Sequence, residues 1–179
     1  LEDGSVVKLG DRFRGRPGYD LVGAFVGSEG MMGVVTQVIV ALLPEPQAVR
    51  TLLAVFSTIE QASSTVSRII GSGIIPTALE MMDSVAIRAV ETAMSFGYPE
   101  NAGAVLLIEA DGLAAEVEEQ ASKLETLCRQ EGAREVRTAS EVEDREKLWA
   151  GRKGALGALG VLAPNYYLVD GVVPRSRLL

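Results

Sequence analysis

The 179 residues predict an α+β fold built on an antiparallel sheet, and three observations carry that expectation. Short apolar runs of strand length alternate with segments whose apolar residues recur at helical spacing. From residue 51 onward the alternation reads strand, helix, strand, and then repeats. Pro44 and Pro46 set this region apart from the N-terminal segment, because two prolines interrupt a strand and favour extended backbone. Two strand-helix-strand units in succession imply a ferredoxin-like antiparallel sheet with helices on one face.

Taken in order, Asp3, Gly4 and Ser5 read as a hairpin turn that enters a strand through Val6 and Val7. Asp20 to Val26 reads as a short apolar helix, and a glycine-punctuated turn follows from Gly27 to Gly33. The β-branched run from Val34 to Val40 is then expected to be a strand. Beyond the prolines, Thr51 to Phe56 is an apolar strand. Ile59, Ala62, Val66, Ile69 and Ile70 mark a helix that Gly71, Ser72 and Gly73 stop. Ile74 to Met82 is the next strand, and Asp83 caps a helix that runs to about Phe96. The second unit comprises a strand from Ala104 to Glu109, an amphipathic helix from Ala114 to Gln130 and a short strand from Glu135 to Thr138. Ser140 and Glu143 form a capping box for a last helix, with Glu141, Glu143 and Asp144 supplying the sign its dipole prefers. Gly151, Gly154, Gly157 and Gly160 each cost about 1 kcal/mol against Ala in a helix interior, so the regular helix is expected to fail beyond about Gly154.

Composition excludes several classes of function. A net charge of −7 and the lack of a lysine-rich stripe argue against nucleic acid, since neutralising phosphates needs clustered cations. Arg12, Arg14 and Arg16 are the only basic cluster and read as a solvated loop. No apolar run approaches the roughly 18 residues of a membrane span. The single Cys128 falls in a helix, reads as a small core residue and fits a reducing compartment. No Cys/His spacing suits a metal, so no metal ligand is expected. The chain has no His, the residue that most often removes a proton near neutral pH, and none of its residues is expected to be catalytic.

The turn from Gly27 to Gly33 lies between a helix and a strand, the reverse of the strand, glycine turn and helix of a dinucleotide-binding Rossmann motif. What it offers is close backbone approach, since Gly27, Gly30 and Gly33 lack a Cβ and can present N–H groups to a ligand. With Tyr19, Asp20 and Leu21 before it and Val34, Val35 and Thr36 after it, the segment resembles the last part of the FAD-binding domain of FAD-linked oxidases of the vanillyl-alcohol-oxidase type. The resemblance continues through Leu79 to Asp83, Trp149 to Lys153, Pro164 to Tyr167 and Asp170 to Arg175. These segments are similar to the group that holds the flavoprotein subunits of bacterial glycolate oxidases and their D-lactate dehydrogenase relatives.

The resemblance implies that residues 1–46 are the C-terminal part of an FAD-binding domain and residues 47–179 the first part of the cap domain, an internal piece of a longer protein. It implies FAD as cofactor, contacted largely through main chain by Ser28, Glu29, Gly30, Met31, Met32, Gly33, Val34 and Val35. It implies that Arg152, three residues after Trp149, holds the carboxylate of a small D-2-hydroxy acid, since a guanidinium pairs bidentately with that group. Leu156 and Leu168 stand where relatives acting on 2-hydroxyglutarate carry hydroxyl and ammonium groups, which points to a smaller or less charged substrate such as glycolate or D-lactate. Proton removal is left to histidines further along the intact protein. The partners implied are a second flavoprotein-like subunit and an iron–sulfur subunit, with a quinone link. The location implied is the cytoplasm or, through partners, the periphery of the inner membrane.

Glu80 and Asp83 are not expected to act as a carboxylate pair: Asp83 reads as a cap and Glu80 as the partner of a cation. Trp149, Tyr166 and Tyr167 suit either an apolar pocket or the core. The rival to the enzyme reading is a ferredoxin-like module that binds a small molecule or mediates dimerisation without catalysis.

Overall fold

A computed structural model describes residues 3–11, 18–99, 101–174 and 177. Arg12, Arg14 and Arg16 lie outside the described residues. The chain divides into two compact units, Leu1–Pro44 and Glu45–Leu179.

Among its described residues the first unit contains one helix, α1 (Leu21–Gly27), whose N-cap Asp20 accepts a hydrogen bond from the Gly23 N–H at 2.9 Å. The turn after it is closed by Ser28, whose hydroxyl and N–H both donate to the Phe25 carbonyl. The expected strands at Val6–Val7 and Val34–Val40 do not form, and no ladder pairs those residues among the described ones. A strand exists only through hydrogen bonds to a neighbour, and β-branched composition supplies the tendency without the partner.

The second unit is a four-stranded sheet formed by β1 (Ala48–Phe56), β2 (Ala78–Asp83), β3 (Ala104–Gly112) and β4 (Glu135–Ala139), in the order β2-β3-β1-β4. Every pairing is antiparallel, with Leu52 opposite Ile108, Leu79 opposite Ile108 and Leu53 opposite Arg137. This is the ferredoxin-like order that the doubled strand-helix-strand pattern implies. The strand β2 starts later than the apolar run, after Pro76, which has no N–H to give a ladder.

Helices cover both faces rather than one. On one face, α2 (Ile59–Gly71) and α4 (Ala114–Gln130) enclose Leu52, Ala54, Phe56, Leu106 and Ile108, together with Cys128. On the other, α3 (Ser84–Met94) and α5 (Val142–Ala158) enclose Leu53, Val55, Val105 and Leu107. The helix between the two halves is not a free connection, because its apolar residues Ile87, Ala89 and Val90 need a sheet face and the first is already taken. Asp83 caps α3 as expected, accepting from the N–H groups of Val85 at 3.1 Å and Ala86 at 2.8 Å.

Two expectations for α5 fail. Its N-cap is Glu141, with no side-chain cap, so the capping box at Ser140 does not form. The helix also passes through Gly151, Gly154 and Gly157 and ends at Ala158 before a 3-10 turn over Leu159–Val161. Contact explains the tolerance: a Cβ on Gly151 would strike the Tyr98 ring, and one on Gly154 the Met94 thioether. Tyr98 donates its hydroxyl to the Leu148 carbonyl, which ties it to the helix at that point. Burial pushes the Tyr98 hydroxyl pKa up to about 12. Packing of α3 and Tyr98 against a bare helix surface offsets the propensity cost of the glycines.

Candidate functional site

The α3/α5 face of the sheet is apolar at one end and polar at the other, and the register shows where it changes. Val105 sits opposite Val55 and Met82, and one pair along, Leu107 sits opposite Leu53 and Glu80. One pair further, Glu109 sits opposite Thr51 and Ala78. Because side chains alternate along a strand, Thr51, Glu80 and Glu109 share this face.

Helix α5 brings two chemistry-bearing side chains to the same end. Trp149 and Arg152 are three residues apart, hence neighbours on one helix surface. The Trp149 Nε1–H donates to Glu109 Oε2 at 2.8 Å, and the Thr51 hydroxyl donates to the same oxygen at 2.6 Å. Thr51 is fully buried, so its hydroxyl needs this acceptor, and the carboxylate ties β1, β3 and α5 together. Arg152 donates from Nε to Glu80 Oε2 at 2.9 Å, and its Nη2 forms an ion pair with the same oxygen at 2.9 Å. Its Nη1 has no hydrogen-bond partner among the described residues. The guanidinium is therefore gripped along its Nε side while its terminal fork stays available.

Beside Arg152 is a groove of about 300 Å³ lined by Ile59, Met81, Met82, Asp83, Ala86, Ala155 and Arg152 itself. Asp83 already spends one carboxylate oxygen on the N-terminus of α3. A mostly apolar groove with a single cation suits a small organic anion with a short aliphatic chain.

Of the sequence-derived candidates, Arg152 and Trp149 meet here, and the cation partner expected for Glu80 is Arg152. Tyr166 and Tyr167 join neither pocket nor core, since both are exposed. Glu109 and Thr51 were not anticipated. The available signal was a single carboxylate within the apolar run from Ala104 to Ala110, a position where an ionised group needs partners. No group of three or more His, Cys, Asp or Glu residues able to hold a metal exists among the described residues. Cys128 is buried in the other core, and burial pushes its thiol pKa up to about 12.

The glycine turn, in the first unit, has the features that main-chain recognition needs. Gly30 and Gly33 adopt φ of 88° and 154°, and a Cβ on Gly27 or Gly30 would meet open space. Ser28, Glu29 and Met31 spend their N–H groups on Phe25, Val26 and Ser28 carbonyls. Those of Gly30, Met32, Gly33, Val34 and Val35 have no partner among the described residues, and main-chain donors of this kind suit the phosphates and ring edges of a dinucleotide. The turn fits FAD on these grounds.

Residues 45–179 match the family described as FAD linked oxidases, C-terminal domain. The chain belongs to this family. Curated relatives agree with the family assignment. Glycolate oxidase subunit GlcD of Escherichia coli (strain K12) is 46% identical over 176 residues, which cover 98% of this chain and 35% of that protein. GlcD of Bacillus subtilis (strain 168) is 41% identical, over 99% of this chain and 38% of that protein. The mitochondrial cytochrome-type D-lactate dehydrogenase of Arabidopsis thaliana is 32% identical, over 99% and 32%. The chain thus spans about a third of the length of the relatives it matches. Among solved structures, an alkyldihydroxyacetonephosphate synthase superposes with a TM-score of 0.64 at 19% identity, over 82% of this chain and 31% of that one. That likeness shows the fold alone. FAD is the cofactor of the FAD-linked oxidases, and no helix among the described residues is long and apolar enough to cross a membrane.

Proposed function

We propose that this chain is part of an FAD-dependent oxidoreductase that oxidises a small D-2-hydroxy acid, of the glycolate or D-lactate type, to the 2-oxo acid. The observation that carries the reading is Arg152, held by Glu80 along one side, free at its fork and set beside an apolar groove. The printed names of the relatives, glycolate oxidase subunit and D-lactate dehydrogenase, support the substrate class.

In this reading residues 1–46 complete an FAD-binding domain and residues 47–179 begin the cap. Ser28 to Val35 line the cofactor, with Gly30, Met32, Gly33, Val34 and Val35 donating main-chain hydrogen bonds. FAD, when bound, supplies a two-electron acceptor for the hydride from the substrate α-carbon. Arg152 pairs its Nη1 and Nη2 groups with the substrate carboxylate, which fixes the α-carbon and hydroxyl in place. Trp149, locked by Glu109, sets the rotation of α5 and so the reach of Arg152. Since the chain has no His, the hydroxyl proton leaves to a base elsewhere in the intact protein. A second flavoprotein-like subunit and an iron–sulfur subunit, or a quinone, are the partners this reading assigns for electron exit, with a peripheral place at the inner membrane.

The test is the full reading frame, purified and mixed anaerobically with glycolate or D-lactate. Bleaching of the bound flavin with formation of glyoxylate or pyruvate is the expected result. A protein that purifies with flavin yet is bleached by neither acid would overturn the substrate assignment, and one that takes up no flavin would restore the non-catalytic module.

A further inference from the structure

We propose that Glu80 is a positioning residue for substrate: it engages the Nε side of Arg152 and thereby selects the end-on fork as the carboxylate-binding edge. This rests on the reading of Arg152 as the carboxylate holder. A guanidinium has five N–H donors arranged along two usable edges, one formed by Nε and Nη2 and the other by Nη1 and Nη2. An isolated arginine at the end of a flexible stem presents either edge. Here a single oxygen, Glu80 Oε2, accepts from Nε–H at 2.9 Å and sits 2.9 Å from Nη2 in an ion pair, so it occupies the Nε edge. The Nη1 donors and the Nη2 donor turned away from Glu80 make a complete fork for a second carboxylate. Glu80 is in turn fixed on β2, where its backbone faces Leu107 in the middle of the sheet, so the grip starts from a rigid element.

Stability is a poor reason for this pair. Both side chains are 40% exposed. An ion pair that wet contributes little to folding once solvent screening and side-chain ordering are counted. The pair lies instead where the groove needs its one available cation to be aimed.

The experiment compares Glu80→Ala, Glu80→Gln, Arg152→Met and the Glu80→Ala/Arg152→Met double variant in the full-length flavoprotein, with KM and kcat for glycolate and D-lactate, flavin content and Tm. Glu80→Ala is expected to raise KM about 10-fold and to lower kcat by a smaller factor, since the same contact orients the α-carbon, with flavin content and Tm close to the parent. Glu80→Gln keeps a carbonyl oxygen for Nε–H and restores most of the affinity. The double variant is expected to match Arg152→Met alone, because Glu80 acts only through that side chain. If Arg152→Met raises KM while Glu80→Ala leaves it unchanged or lowers it, or if the two losses add, the positioning role is overturned and the carboxylate role stands. An unchanged KM in Arg152→Met removes the carboxylate role, and the role of Glu80 with it.

Discussion

The two faces of one sheet have been given different work. Along the face under α2 and α4, Leu52, Ala54, Phe56, Ala104, Leu106, Ile108 and Ala110 form an unbroken apolar surface. Along the face under α3 and α5, the same strands offer Leu53, Val55, Val105 and Leu107, but they turn polar at Thr51, Glu80 and Glu109. The first face is apolar at each of these positions. The second gives up some apolar burial to hold an indole and a guanidinium in defined places. That asymmetry teaches where to look for function in a fold of this kind: at the end of the sheet face where alternation continues but the residue type changes.

If the apolar face serves stability only, damage there should unfold the protein without altering substrate affinity. Leu106→Ala is expected to cost about 2–5 kcal/mol, as large-to-small changes in full burial do, read by denaturant unfolding, with KM in the surviving folded protein unchanged. Gly151→Ala tests the helix-bearing face and should cost about 1–3 kcal/mol, because the added methyl meets the Tyr98 ring. Its effect on KM should exceed that of Leu106→Ala, since it displaces the helix that carries Arg152. Reversal of that order would break the comparison.

Each face also contains one buried acid that reports its integrity as pH rises. Burial pushes both Cys128, under the first face, and Tyr98, under the second, up to about 12 from ordinary values of 9.0 and 10.0. Above those ordinary values the unfolded chain loses protons that the folded chain keeps, so alkali favours unfolding. Stability is therefore expected to be insensitive to these groups below pH 9 and to fall between about pH 9 and 12. Cys128→Ala should flatten the first part of that fall and Tyr98→Phe the second, in Tm measured against pH. The folded protein should leave Cys128 unreactive to a thiol reagent at pH 8, and rapid labelling without unfolding would contradict the packing of the first face. The smallest effect is expected at the solvated surface of α4, where breaking the Arg129–Glu125 pair at 2.7 Å should change stability by about 0.5 kcal/mol or less.

Much of this sheet was legible in the sequence, and the reason is periodicity. The α4 range and the cap at Asp83 follow from apolar spacing and one capping residue, which are local signals. The second helical layer was not legible, because Ile87, Ala89 and Val90 mark an apolar face without naming the surface it covers. The length of α5 was missed for a related reason: a propensity argument counts the cost of Gly151 and Gly154 but not the Tyr98 and Met94 side chains that fill the space they leave. In the N-terminal unit, Val34 to Val40 has the composition of a strand, yet a ladder depends on a neighbour that composition does not specify. At the site, Arg152 was singled out by a resemblance, while Glu109 was hidden because its partners, Thr51 and Trp149, lie 58 and 40 residues away in sequence.

The most direct test of a carboxylate site at the polar end of this sheet pairs a change in the protein with the same change in the ligand. Wild-type and Arg152→Met full-length protein are assayed on D-lactate and its neutral amide, and on glycolate and its amide. The account predicts that the wild type prefers the acid over the amide by about 100-fold or more, as expected for a charge-assisted bidentate contact, and that Arg152→Met abolishes the preference by weakening only the acid. An undiminished preference in the variant would place the carboxylate elsewhere and contradict the account.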